Sequence, residues 1–262
     1  MINMFLAEIS KLARRRILGA TAVIVLLASF LATTVVFLSA ANAPEAAPER
    51  GTTLAALSGA GGGTEAFSIA LSFIGVFVFV VFIANWTGEF SQGTLRTLLM
   101  RQPGRFSALA GKLGALLVFA AGVLLVAEAA TWAMSLAFAP SQDVSTDAWF
   151  GLEAIGDAAR NYRDALVGVA AWACFGMMLA VLLRSTPIAL GVGIVWAGPF
   201  EHLTQNAWTA VSGWYPGLLL EALAVGGTDD ASYGRALALL AAYVALAVTV
   251  ATVSFARRDV TG

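Results

Sequence analysis

Residues 66–87 read AFSIALSFIGVFVFVVFIANWT, and residues 88–112, directly after them, read GEFSQGTLRTLLMRQPGRFSALAGK. The first run carries no charged side chain and is long enough to cross a bilayer, which takes roughly 20 apolar residues as a helix. The second gathers Glu89, Arg96, Arg101, Arg105 and Lys112 in a chain that is only 12% charged. Hydrocarbon offers no partner for a backbone N–H or C=O, so an isolated crossing segment has to be helical. The pair reads as a transmembrane helix followed by a polar connection.

The pattern repeats on both sides. Apolar runs at 17–41, 66–87, 106–139, 165–183, 188–200 with its continuation, and 233–256 predict six transmembrane helices. The fifth is interrupted by Gly191, Gly193, Gly198 and Pro199, and the third is overlong, so its first turns are expected to project from the membrane. The composition agrees: 59% of the 262 residues are hydrophobic, and the mean hydropathy is +0.83. Soluble domains carry about 25% charged and about 45–50% apolar residues. The predicted fold is therefore an all-α polytopic membrane protein, a single transmembrane domain over residues 1–262.

Charge sets the expected orientation. With the N-terminus in the cytoplasm, eleven of the fifteen basic residues lie inside: Lys11, Arg14, Arg15, Arg16, Arg96, Arg101, Arg105, Lys112, Arg184, Arg257 and Arg258. Only Arg50, Arg160, Arg163 and Arg235 lie outside, and twelve of the sixteen acidic residues join them there. Short loops rich in Lys and Arg stay on the cytoplasmic side, so both termini are expected to be cytoplasmic. Lys11 and Arg14–Arg16 before an apolar run also suggest a signal peptide, with Ala41-Asn42-Ala43 as a cleavage site. The run at 17–41 is too long for the 7–15 residues of a signal core, and Pro44 follows the cut, so a retained first helix is expected.

Three regions lie outside the runs. Residues 1–16 place Ile2, Phe5, Leu6, Ile9 and Leu12 on one helical face, with Glu8, Lys11, Arg14 and Arg15 elsewhere. That is an amphipathic helix lying on the inner leaflet. The loop 42–65, rich in Pro, Gly and Ala, is expected to be flexible. Residues 201–232 mix Trp208, Trp214 and Tyr215 with a Pro216-Gly217 break and a short apolar piece, predicting short re-entrant helices on the outer side.

Several activities lack their residues. Gly61-Gly62-Gly63 is not followed by Gly-Lys-Ser/Thr, so there is no Walker A loop. One cysteine, Cys174, and one histidine, His202, make no zinc set, and Cys174 reads as a small buried hydrophobe. Asn85-Trp86-Thr87 fits a glycosylation sequon, but the orientation puts it at the inner membrane face. No repeat of an inverted type is evident, and the near-neutral chain suggests no nucleic-acid partner.

Taken by itself, 88–112 predicts a short helix from Glu89 to Met100, with Glu89 at its N-terminal end where the macrodipole favours a carboxylate. Pro103-Gly104 breaks it and Arg105 opens the third span. A solvated loop explains the four basic residues equally well, but not Glu89 or the apolar Leu95, Leu98 and Leu99. With Glu89-Phe90, the stretch Gly93-Thr94-Leu95-Arg96-Thr97-Leu98-Leu99, Pro103, Arg105 and Gly111-Lys112, the chain resembles the ABC-2 type permeases, membrane subunits of ABC transporters that are mostly exporters. Gln102 and Gly104 depart from that family's usual residues around the proline.

The resemblance implies that residues 88–105 form a cytoplasmic coupling segment docking on an ABC ATPase subunit, through Glu89, Gly93, Thr94, Arg96, Leu99, Arg101 and Arg105. Arg101 and Arg105 serve equally well as contacts for membrane lipid phosphates. It also implies two ATPase copies, a second permease copy or homologue, and ATP and Mg on the partner, with no cofactor on this chain and no catalysis by it. Richness in Ala, Gly and Val points to a bacterial plasma membrane. Glu128, placed about 24 Å along a helix from Lys112, is an intramembrane carboxylate and a candidate for the translocation path, as are Glu201, His202 and Glu221 at the outer mouth. For Glu128 a bond to Thr131 or Trp132 is the structural alternative, and for the other three the capping of re-entrant helices. A six-helix channel or an accessory membrane protein not driven by ATP is the competing function.

Overall fold

The computed structural model describes residues 2–42, 52–91, 104–196, 200–205, 207–224 and 226–257. Among them there is no strand, only an isolated bridge between Gly227 and Ser232. Five helices are long and apolar enough to cross a membrane, within Arg15–Asn42, Ala60–Glu89, Phe106–Gln142, Leu152–Leu183 and Tyr233–Arg257. The all-α, multi-pass reading is therefore shown to that extent.

In chain order the helices are α1 (Ile2–Leu12), α2 (Arg15–Asn42), α3 (Leu54–Leu57), α4 (Glu65–Ser91), α5 (Arg105–Phe138), α6 (Leu152–Leu183) and α7 (Thr186–Val195). Then come three short ones, α8 (Glu201–Thr204), α9 (Thr209–Ser212) and α10 (Pro216–Ala224), and the long α11 (Tyr233–Arg257). Of the predicted fifth span, the structure describes α7, while residues 197–199, with Gly198 and Pro199, lie outside the described residues. α7 has ten residues, roughly 15 Å at 1.5 Å per residue, half of a hydrocarbon core about 30 Å thick. Gly193 explains the glycine there: a Cβ would lie 2.6 Å from the Phe79 ring, so the ring rests on bare backbone.

α2 shows what makes these helices membrane helices. Its packed positions are Thr21, Val25, Ala28, Ser29, Ala32, Thr33, Val36, Phe37 and Ala40, a helical stripe of mostly small residues. Its exposed positions include Leu26, Leu27, Phe30, Leu31, Val35 and Leu38. Bulky hydrophobes outward and small residues inward is the arrangement of a helix solvated by lipid, where close backbone approach drives packing.

The described chain falls into two compact units. Met1–Leu12, Val76–Phe119 and Val167–Gly262 form the first; Ala13–Gly75 and Ala120–Leu166 form the second. In the first, Phe79, Ile83, Leu179 and Ala189 make one core, flanked by Trp172 and Phe175. Leu219, Ala222 and Leu223 of α10 make another with Ala236 and Leu240 of α11. In the second unit, Phe30 and Phe37 of α2 hold Phe138 of α5, with ring centroids 6.0 and 5.8 Å away.

The expected flexible loop at 42–65 is ordered over its described part. α3 is capped by the Thr53 hydroxyl, which accepts from the Ala56 N–H at 3.2 Å. A 3-10 turn, Ala60–Thr64, leads straight into α4. Its glycines are there for space: a Cβ on Gly62 would fall 1.8 Å from the Leu57 carbonyl, and one on Gly63 would fall 2.7 Å from the Trp132 ring. Residues 43–51 of that loop lie outside the described residues.

Candidate functional site

Three helices of the first unit converge on four charges. α1 brings Glu8 and Lys11, three residues apart and so on one side of the helix. α4 brings Asn85, Trp86 and Glu89 on its last two turns, and α5 brings Lys112 from its second turn. Lys11 Nζ lies 2.5 Å from Glu8 Oε1 and 3.1 Å from Glu89 Oε1. Lys112 Nζ lies 2.7 Å from Glu89 Oε1 and 3.8 Å from Glu8 Oε2. Asn85 Nδ2 donates to Glu8 Oε2 at 3.2 Å, and the Lys112 ammonium sits over the Trp86 ring, 5.2 Å from its centroid.

Burial makes the arrangement consequential. Glu8 is 0% exposed, Lys112 1% and Glu89 8%, while the Lys11 side chain keeps 43% of its surface. Buried charges persist only when paired, because leaving water costs several kcal/mol per ion. Here two carboxylates meet two ammonium groups, so the cluster is neutral. The Lys112 ammonium pairs with the Glu89 carboxylate across 2.7 Å. Burial alone would raise the Glu8 carboxyl, but the Lys112 charge and the hydrogen bond and charge of Lys11 outweigh it and hold Glu8 below the usual carboxylate range. Burial would likewise lower Lys11, and its bonds and charges with Glu8 and Glu89 instead raise it.

This corrects two expectations. Glu89 does not open a short helix; α4 continues through it to Ser91. It stands at the negative end of the helix macrodipole, an unfavourable place for a carboxylate by about 0.3–1 kcal/mol, and the two lysines offset that. Glu8, expected off the apolar face of an amphipathic helix, is packed inward with Met4 and Leu12, while Ile2 and Leu6 of that apolar face are exposed. The pattern of α1 was read as if the bilayer were its main partner, whereas its inward side meets α4 and α5. Phe5 confirms the docking, lying where a Cβ on Gly114 of α5 would meet it at 3.7 Å.

Of the other coupling residues, Gly93, Thr94, Arg96, Leu99 and Arg101 lie outside the described residues. Arg105 is the first residue of α5. The cluster thus stands at both ends of the stretch 92–103. Sequence reading missed Glu8, Lys11, Asn85 and Trp86 as members. The signal was the Glu8–Lys11 spacing together with a sequon asparagine that has other work: Asn85 is bonded to Glu8.

The acidic residues expected on the path fall in two places. In the first unit, Glu201 is fully buried and its Oε2 accepts from the Leu218 N–H at 3.0 Å, capping α10. His202 Nε2 lies 2.9 Å from Glu221 Oε1 in an exposed pair. In the second unit, Glu128 is 8% exposed, and its Oε1 has no hydrogen-bond partner among the described residues. The Thr131 hydroxyl donates to the Ala127 and Glu128 backbone carbonyls at 3.1 and 2.9 Å, so it is engaged elsewhere than with the carboxylate. A cavity of about 380 Å³ opens beside Glu128.

By length and composition, the five long apolar helices are those of a multi-pass membrane protein. The chain belongs to the family described as protein of unknown function DUF2705, whose profile matches residues 22–261. No curated protein matches it.

Proposed function

We propose that this chain is the transmembrane permease subunit of an ABC transporter of the ABC-2 type, an exporter in the bacterial plasma membrane. It pairs with a second permease copy and two separate ATPase subunits that bind ATP and Mg. Six crossings are formed by α2, α4, α5, α6, α7 with its continuation, and α11, and both termini are cytoplasmic. The short helices α8, α9 and α10 are the outer re-entrant region. The eleven-to-four division of basic residues supports that orientation.

The observation that carries the reading is the ion pair between Glu89 and Lys112. These residues bracket the stretch whose sequence resembles the coupling segment, and the pair ties the two ends of that stretch together. A push delivered to 92–103 by an ATPase subunit is then passed to α4 and α5 jointly, and through Lys11 to α1. An untied loop would absorb the same push by bending. The coupling rests on a difference in how the ATPase binds two permease states.

The test is co-expression with an ABC ATPase encoded beside the gene, comparing the native chain with Arg96→Glu. Arg96 is chosen over Glu89 because Glu89 is part of a buried network. The complex is expected to form with the native chain, and charge reversal to cut retained ATPase at least tenfold while the permease itself folds. ATPase retention that ignores Arg96 would move the docking surface elsewhere on the chain, and the absence of any bound ATPase would return the chain to the channel or accessory reading.

A further inference from the structure

We propose that the cavity beside Glu128 binds a lipophilic organic cation. All its lining belongs to the second unit, and its volume of about 380 Å³ is that of a site for a drug-sized molecule. Glu128 supplies a carboxylate whose Oε1 is buried and without a hydrogen-bond partner among the described residues. Around it stand the aromatic rings of Trp132, Trp149 and Phe150.

The lining selects among ligands. A metal ion demands several oxygen ligands, six to eight for calcium. The cavity offers one carboxylate and the Thr64 hydroxyl, which already donates to the Gly61 carbonyl and accepts from Asn161 Nδ2. A neutral apolar guest would leave the buried carboxylate without a counter-charge, which is costly. An organic cation satisfies both features: the carboxylate answers its charge, and ring faces attract it as well. Its apolar coat buries against the rings in place of a tightly held hydration shell.

The walls are held in place before any ligand arrives. Trp149 Nε1 donates to the Leu57 carbonyl at 2.8 Å, and Trp132 meets Phe150 edge-on with centroids 5.4 Å apart. The bare backbone of Gly63 lies against Trp132, in space a Cβ would need. A preformed wall spares the ligand the ordering cost of binding. The inference deepens the transporter proposal by naming a substrate class, and rests on it only for the statement that the cation is carried; binding itself needs no ATPase.

The test is equilibrium dialysis of the purified full chain in nanodiscs with tetraphenylphosphonium, with neutral triphenylphosphine oxide as the uncharged comparator. The native chain is expected to prefer the cation at least tenfold, and Glu128→Gln to remove that preference while binding of the neutral compound is kept. Retained neutral binding shows that the variant's cavity is intact. Equal binding of the two probes by the native chain, or cation affinity unmoved by Glu128→Gln, would overturn the proposal. Because no ATPase is present, cation binding survives if the transporter reading fails, and the transporter reading survives if binding fails.

Discussion

Lys112 Nζ lies 2.7 Å from Glu89 Oε1, joining the last turn of α4 to the second turn of α5 across the segment that separates them in sequence. Lys112 is 1% exposed, so the pair is a buried one. Removing one partner strands a charge. Lys112→Met is expected to destabilise the chain by about 3–5 kcal/mol, and Glu89→Gln in the Lys112→Met background to restore part of that loss. Unfolding midpoints in detergent, read as a double-mutant cycle, check this; strict additivity would mean the pair is not coupled.

Two members of the cluster outside the spans set its pH limits. Glu8 is held below its ordinary value, so its contribution to stability is fully present above about pH 4.3, the unfolded glutamate value, and is lost as pH falls through the lower folded value. Lys11 is raised, so its contribution is present below about pH 10.4 and is lost as pH rises through the higher folded value. The contributions of Glu8 and Lys11 are expected to hold level between these limits, and Glu8→Gln to lose the acid limb selectively. Melting temperatures from pH 3 to pH 11 read both edges.

Glycines separate into two groups by what surrounds them. Gly62→Ala would put a methyl 1.8 Å from the Leu57 carbonyl, a backbone atom that cannot swing aside. Failure to fold, or a loss of more than about 3 kcal/mol, is expected. Gly122→Ala meets nothing within 4 Å in the middle of α5, so it is expected to be neutral or to stabilise by up to about 1 kcal/mol through helix propensity. Comparing their thermal midpoints with the native chain decides.

Orientation is open to direct labelling, since Cys174 is the one cysteine and is buried. In a Cys174→Ala background, Ser10→Cys on α1 is expected to react with an impermeant maleimide only after the membrane is opened. Ser145→Cys, in the exposed connection between α5 and α6, is expected to react in intact cells. The reverse pattern would invert the proposed topology.

The long helices were legible because lipid-facing helices are apolar on every side, and composition alone finds such runs. α7 was harder: the apolar run continues past Val195 into residues 197–199, which lie outside the described residues. The burial of Glu8 was beyond a helical-face argument for a physical reason. A helical-face argument assigns charges to water, and the groups that satisfy Glu8 come from Asn85, Glu89's neighbour Lys11, and Lys112, mostly far away in sequence. The glycines at 61–63 carried the same ambiguity, since flexibility and close packing use the same residue. The Glu128 cavity needed the 3-10 turn and Trp149 in place before any sequence could announce it.

Two carboxylates and two ammonium groups in one cluster sum to zero charge. A membrane potential does work of about 2.3 kcal/mol per elementary charge carried across 100 mV, and none on a group with no net charge. If the four groups shift together across the membrane, the cell's voltage does no net work on them, and any voltage dependence of that shift comes from other charges such as Arg105 at the start of α5.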